Sequence, residues 1–392
     1  MAYTNTIFNQ LLTFLPKYHF NAFVGQHESD RYVKNFTTWN QLVTLLYAQA
    51  TGKESLRDIQ TGLSLQVEKW SHLGINSAAR STLSYANNKR SYKVFEGLFY
   101  ELLTQCKGVI PKKSFSFENP LYSLDATVIK LCLSMFDWAK YTKTKGALKL
   151  HTLLDNKTMI PELIISSDGK KGDVTAGKEM RIPEKLEKGS IVVFDRAYID
   201  YGWWKKLNDN EIFFVSRVKT NQRITVLGQH QISKELGVVS DDKILVGEHY
   251  GYEKYPEVLR RVSVINPKTK KVYEYVTNNF KLSPHQIMEI YIQRWQIELF
   301  FKWIKQNLKI KSFLGTSENA VLSQIWVAMT YYLLMAYIKF QTKFSKTLLE
   351  LTRMVKETLF VRRNLIDMLS LDSTTVYRFE TPPIPQLALF RF

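Results

Sequence analysis

Residues 291–305, YIQRWQIELFFKWIK, constrain this chain more than any other stretch. They contain no Gly, Pro or turn cluster and read as one helix. At about 100° per residue, Tyr291 at 0° is followed by Arg294 at about −60°, Glu298 at about −20° and Lys305 at about −40°. Four polar side chains therefore share one narrow stripe. Apolar residues flank it, with Ile292, Trp295, Leu299 and Trp303 on one side and Ile290, Ile297, Phe301 and Ile304 on the other. The pattern predicts a helix wedged into a core on both flanks. A carboxylate buried there without a partner costs several kcal/mol. Glu298 therefore needs Arg294 one turn back, a bound metal ion, or both.

The rest of the chain divides by pattern. Residues 1–110 look helical, 111–218 and 283–316 read as an α/β core, 219–282 as a β-rich insertion, and 317–392 as a helical C-terminal region. In the first part, apolar residues recur at helical spacing over 36–49 and 92–104. Between those stretches, Ser55 can cap a short helix, Gly74 breaks the chain, and Ser81 opens a second helix ending in Lys89 and Arg90. This suits a helix-turn-helix reader with Arg80, Lys89 and Arg90 toward DNA. An ordinary bundle with a polar face is the plainer alternative.

Strands are expected at 121–133, 148–154, 160–166, 190–194 and 212–218, with a helix at 201–207. The run 190–194, SIVVF, is continuously apolar, as in a strand buried on both faces, and it ends on Asp195. Short runs at 243–246, 259–265 and 272–277 make up the insertion. The tail from 381 is Pro-containing and extended. Strands alternating with helices imply an α/β fold around a mixed sheet.

Charge bounds the partner. With 54 basic and 36 acidic residues the chain carries +18, spread along its length. A polyanion, nucleic acid first, is the expected partner. The 21 Tyr and 8 Trp suit stacking on bases, although most belong in the core. Cys106 and Cys132 give neither a zinc pattern nor a disulfide framework, which suggests a reducing cytoplasm. The first residues lack the pattern of a signal peptide. Residues 320–340 are apolar enough to raise a membrane span. Ser323, Gln324, Thr330 and three tyrosines interrupt them, so a buried helix beside 291–305 is expected and no membrane partner.

Three acids stand in unusual places. Asp125 interrupts an apolar strand, Asp195 ends a buried one, and Glu298 lies on the stripe. An α/β core could bring them to one sheet end, where such folds present their sites. Three carboxylates do not all stay ionised together without cations. Hard oxygen donors suit two Mg²⁺ or Mn²⁺ ions, which can clamp the attacking and leaving oxygens of a phosphodiester displacement. Lys140, Lys143, Lys145, Lys149, Arg196, Lys302 and Lys305 are placed in sequence to hold phosphates nearby. His151 and His285 read as structural, because such chemistry needs no histidine.

The spacing Tyr291-x2-Arg294-x3-Glu298-x6-Lys305 resembles the Y-R-E-K signature of bacterial insertion-sequence transposases of the DDE type. IVVFDRAYID, with Asp195, Ala197 and Tyr198, is similar to that family's second-Asp motif, and LYSLDATVIKLCL to its first-Asp strand. Asp195 follows Asp125 by 70 residues and Glu298 follows Asp195 by 103. The resemblance covers roughly 120–315. It implies a ribonuclease H-like core with Asp125, Asp195 and Glu298 as catalytic metal ligands. It also implies a cut-and-paste enzyme that binds double-stranded DNA, both its element's terminal inverted repeats and target. It would work as a homodimer in the bacterial cytoplasm, nucleoid-associated when bound. Tyr291, Arg294 and Lys305 would hold DNA near the break. Some relatives stack a flipped base on a Trp of the insertion. No Trp lies between 205 and 294, and Tyr250, Tyr252 or Tyr255 could take its place. A ribonuclease H-like nuclease or resolvase without strand transfer, and an inactive DNA-binding derivative, are the alternatives.

Overall fold

The computed structural model describes residues 5–77, 79–139, 146–230, 237–247, 250–265, 270–310 and 312–370. The chain opens with helices α1 (Ile7–Thr13), α2 (Lys17–Gln26), α3 (Thr38–Thr51), α4 (Leu56–Ser64), α5 (Trp70–Leu73), α6 (Arg80–Lys89) and α7 (Lys93–Lys107). Next come β1 (Leu121–Leu131), β2 (Gly146–Asp155), β3 (Ile160–Asp168), α8 (Asp173–Glu179), α9 (Ile182–Lys185), β4 (Ile191–Phe194), α10 (Tyr201–Asp209) and β5 (Phe213–Arg217). The β-rich stretch supplies β6 (Ile224–Gln229), β7 (Val238–Val246), α11 (Tyr250–Lys254), β8 (Leu259–Ile265) and β9 (Val272–Thr277). Helices α12 (Pro284–Gln293), α13 (Trp295–Asn307), α14 (Glu318–Gln341), α15 (Leu348–Thr358) and α16 (Leu365–Leu369) follow.

Among the described residues, nine strands form one mixed sheet, in the order β3-β2-β1-β4-β5-β9-β8-β7-β6. β4 is parallel to β1 and to β5; β2, β3 and β9 pair antiparallel. The β-rich stretch does not stand apart. β9 pairs with β5, Val215 opposite Thr277, so the insertion extends the core sheet. The sequence shows β7, β8 and β9 but neither β6 nor this pairing, which joins segments about sixty residues apart.

Helices cover both faces. On one, Leu124, Val192, Phe194 and Phe214 pack with Tyr198, Trp203 and Trp204 around α8–α11. On the other, Leu121, Ile191, Val193 and Val215 meet Ile287 and Ile290 of α12. Further along that face, Ile129 and Leu131 of β1 join Ile297, Phe300, Phe301 and Ile304 of α13 in a core shared with α3, α7 and α14. Helix α14 is the long apolar segment, and 94% of its most apolar window is buried inside the fold. It packs on α3, α6, α7 and α15, while its Tyr332 ring meets Phe300 and Trp303 of α13.

Local chemistry sets the helix limits near the site. Ser283 and Gln286 form a reciprocal capping box at α12, with Pro284 at the first position. Asp200 caps α10 by accepting from the Trp203 N–H at 2.7 Å. Ser55 caps α4 as expected, and Gly74 closes α5 in the left-handed conformation at φ +64°.

Candidate active site

The single helix expected at 291–305 is two helices that abut at Arg294. The Arg294 N–H donates to the Tyr291 carbonyl at 3.1 Å, a tight turn between α12 and α13. One expected flank is also corrected. Ile290, Ile297, Phe301 and Ile304 are buried, but Ile292, Trp295 and Leu299 are 51%, 56% and 43% exposed. The polar stripe therefore lies at the margin of the core and not between two buried walls. That lowers the cost of charge there.

Strand parity aims the two aspartates. Leu124 of β1 is the register partner of Phe194 of β4, and Asp125 and Asp195 are the next residues. Alternate side chains of a strand point to opposite faces. Asp125 shares its parity with Leu121 and Ile129, and Asp195 with Ile191 and Val193. Both therefore project toward α12 and α13. The Asp195 carboxylate accepts from the Ala197 N–H at 2.7 Å and caps the 3-10 turn Arg196–Tyr198. Tyr198 is buried against Phe194 and Trp203, fixing that turn from below.

Arg294 connects the third acid. Its guanidinium donates to Asp125 Oδ2 at 3.3 Å and to Glu298 Oε1 at 2.5 Å, with side chains 16%, 22% and 34% exposed respectively. Its Nε has no hydrogen-bond partner among the described residues. Burial pushes the Asp125 carboxyl up to about 6. The Ala126 N–H opposes that shift, Asp195 adds to it, Arg294 opposes it, and Glu298 adds a smaller share. Asp125 thus senses the charge of both other acids. The Arg294 guanidinium also lies 5.8 Å from the Tyr291 ring centre, and that ring packs on Tyr275 at 5.1 Å.

The other expected residues divide. Lys305 lines a cavity of about 360 Å³ with Val128 and Lys130, on β1 beyond Asp125. Lys302 and Arg196 are exposed near Glu298 and Asp195 in sequence. Lys149 is committed elsewhere, bonded to the Lys171 carbonyl at 3.0 Å and to Asp173 at 3.2 Å. Lys140, Lys143 and Lys145 lie outside the described residues. Arg80 and Lys89 are exposed on α6. Arg90 is not available to DNA. Its side chain is 10% exposed, donates to the Phe36 carbonyl and lies over the Phe36 ring. Asn87 likewise turns inward to Gln41, so much of the polar face of α6 serves packing. Among the tyrosines considered for stacking, Tyr255 is fully buried, Tyr252 is exposed, and the side chain of Tyr250 lies outside the described residues. His151 is buried, its Nε2 paired with Ser167 at 2.9 Å. Arg217, at the end of β5 beside Tyr275, escaped the sequence reading because a lone Arg after a strand carries no motif.

Oxygen donors from two strands and a helix fit a hard divalent cation in chemistry. As the side chains stand, no group of three ligand-type residues among the described residues is close enough to hold one. The Arg294 guanidinium supplies the positive charge between Asp125 and Glu298.

Acids placed just where two parallel strands stop pairing, bridged by an arginine, suit phosphate chemistry in an α/β protein. Family comparison makes this specific. Residues 116–334, more than half the chain, match the transposase DDE domain, and the chain belongs to that family of insertion-sequence transposases. Residues 3–76 match a domain of unknown function (DUF4372). The transposase y4zB of Sinorhizobium fredii is 32% identical over 74% of this chain and 80% of its own length. A transposase for insertion sequence element IS5377 of Geobacillus stearothermophilus is 27% identical over 67% of this chain and 68% of its own. A transposase for element IS4SA of Synechocystis is 26% identical over 70% and 75%. Among solved structures, the piggyBac transposase synaptic complex with hairpin DNA aligns at 11% identity over 94% of this chain and 80% of that one, with a TM-score of 0.45.

Proposed function

We propose that this transposase binds the terminal inverted repeats of its own element, cuts at their ends and joins the excised DNA to a target. The observation that carries this reading is that Asp125 and Asp195 directly follow a register pair of two parallel strands, while Arg294 ties Glu298 of α13 to Asp125. Asp125, Asp195 and Glu298 would hold two divalent ions, Mg²⁺ or Mn²⁺, which supply Lewis acidity at the attacking and leaving oxygens. Arg294 stands to trade carboxylates for DNA phosphate when DNA enters, with Tyr291 and Lys305 on the same stripe. Water cuts the first strand and leaves a 3′-hydroxyl. That hydroxyl then attacks, either across the duplex to form a hairpin or into target DNA. Two chains would each hold one DNA end as a homodimer, in the cytoplasm on the nucleoid. The ribonuclease H-like assignment of the core, with residues 1–110 as a DNA-binding domain, belongs to the same proposal.

Purified protein, a linear DNA carrying the repeats that flank its gene, and Mg²⁺ test this. Excision with joining supports the proposal. Cleavage without joining indicates a nuclease or resolvase, and binding alone an inactive derivative.

A further inference from the structure

Beyond Asp195, the half of the sheet built by β5–β9 carries a second charged feature. Two cavities, of about 420 and 430 Å³, share Lys219 and Gln222 as a common wall. Arg196, Arg217, Arg261 and Glu274 line the first. Asp200, Arg223 and Lys254 line the second. Six cations therefore line one trough with two carboxylates, and several of them already have partners. Asp200 holds Lys178 at 2.8 Å, while Arg261 is bonded to Asp242 at 2.7 Å and lies 3.7 Å from Glu274. Arg196, Arg217 and Lys219 pair with no carboxylate among the described residues. Arg217 instead lies over the Tyr273 ring at 4.7 Å.

The trough leads to the carboxylates. Arg196 directly follows Asp195. Arg217 is the register partner of Tyr275, whose ring packs on Tyr291, which Arg294 overlies in turn. Unpaired cations side by side repel one another, and a concave basic strip concentrates the field that draws in a polyanion. One phosphate needs one or two of these groups. Arg196, Arg217 and Lys219, spread over two joined cavities, match more than one phosphate in a row.

We infer that this trough seats the sugar-phosphate backbone of one DNA strand as it runs from the cut past β5 and β6. The inference rests on reading the carboxylates as a DNA-cutting site. It assigns Arg217 and Lys219 a binding role alongside Arg196. The contacts are to backbone, so they are indifferent to sequence.

The test uses the full chain, a labelled single strand of mixed sequence, and a series of KCl concentrations. Each phosphate contact to a single strand contributes about 0.7 to the slope of log Kobs against log salt. The Arg217→Gln, Lys219→Gln double variant should lower that slope by about 1.4 and weaken binding alike for unrelated sequences. Arg217→Lys keeps a point charge and should hold the wild-type slope, which separates charge from damage to the fold. Lys188→Gln, on an exposed lysine paired with Glu211, should leave the slope unchanged. A double variant with wild-type slope overturns the inference. So does saturable binding of ATP that the double variant abolishes while its DNA slope stays at the wild-type value, since the ligand is then a free nucleotide. Wild-type strand binding with this slope loss but no Mg²⁺-dependent cleavage would remove the catalytic reading and leave the trough. Cleavage with an unchanged slope would do the reverse.

Discussion

Asp125 and Asp195 are neighbours across two parallel strands, each directly following one member of the register pair Leu124 and Phe194. The chain between them passes through β2, β3, α8 and α9. Helix α13 then brings Glu298 over the same face, tied to Asp125 through one guanidinium.

Removing that guanidinium should separate the steps of the reaction. Arg294→Ala and Lys305→Ala are expected to slow the step after first nicking more than nicking itself, by on the order of a hundredfold, as for loss of one donor to a developing phosphate charge. Neither side chain can ligate a cation. Time courses on a repeat-end substrate resolve nicked, hairpin and joined products. Wild-type rates in both variants would remove their phosphate role.

The insertion is anchored by a buried ion pair. Arg260 Nε and Nη2 bond Asp241 at 2.8 and 2.7 Å, with side chains only 6% and 8% exposed. Arg260 also donates to the Leu282 carbonyl at 2.6 Å, just before α12. Asp241→Ala leaves a buried guanidinium without its counter-charge. It should cost about 3–5 kcal/mol, measured by urea unfolding. A loss below about 1 kcal/mol would mean that water or another acid replaces Asp241.

His151 should make stability depend on pH. Burial holds its ring down to about 4, with Asp173 partly opposing. The folded chain therefore binds fewer protons than the unfolded chain between about 4 and 6.5, so stability rises with pH through that window. Its contribution is complete above about 6.5, is lost as pH falls toward 4, and amounts to no more than about 3 kcal/mol. His151→Gln should flatten urea midpoints between pH 6.5 and 4 relative to wild type. An unchanged profile would show that His151 does not titrate in this way.

The trough of Arg196, Arg217 and Lys219 should also matter to strand retention after cutting. The Arg217→Gln, Lys219→Gln variant is expected to release a nicked strand at least about tenfold faster in filter-binding chases, in line with loss of two charge-assisted phosphate contacts. Equal release rates would remove this role.

What the sequence reveals is set by the range of the forces involved. Alternation and apolar runs locate β1–β5 and β7–β9 to within a few residues, because strand parity is local. The exposed strand β6, with burial on neither face, leaves no such trace. The acids stand out because an Asp in an apolar strand conflicts with its surroundings. The bend at Arg294 has no Pro or Gly to announce it. The exposure of Ile292, Trp295 and Leu299 depends on which neighbours cover α13, a tertiary matter. Arg90 looked like a DNA contact because surface and buried arginines look alike in sequence. Only Phe36, Gln41 and Asp30 reveal its place. Arg217 and Arg261 come together solely through the pairing of β5, β9 and β8.

The most direct measurement is Mg²⁺-dependent cleavage of a terminal-repeat substrate by Asp195→Ala, with binding to the same DNA followed in parallel. Asp195 ends a fully buried strand next to Asp125, so its loss removes a carboxylate from the cluster without opening the core. Undiminished binding of the repeat end and no detectable cleavage are expected. Cleavage by Asp195→Ala at a rate near wild type would contradict the catalytic role of Asp195.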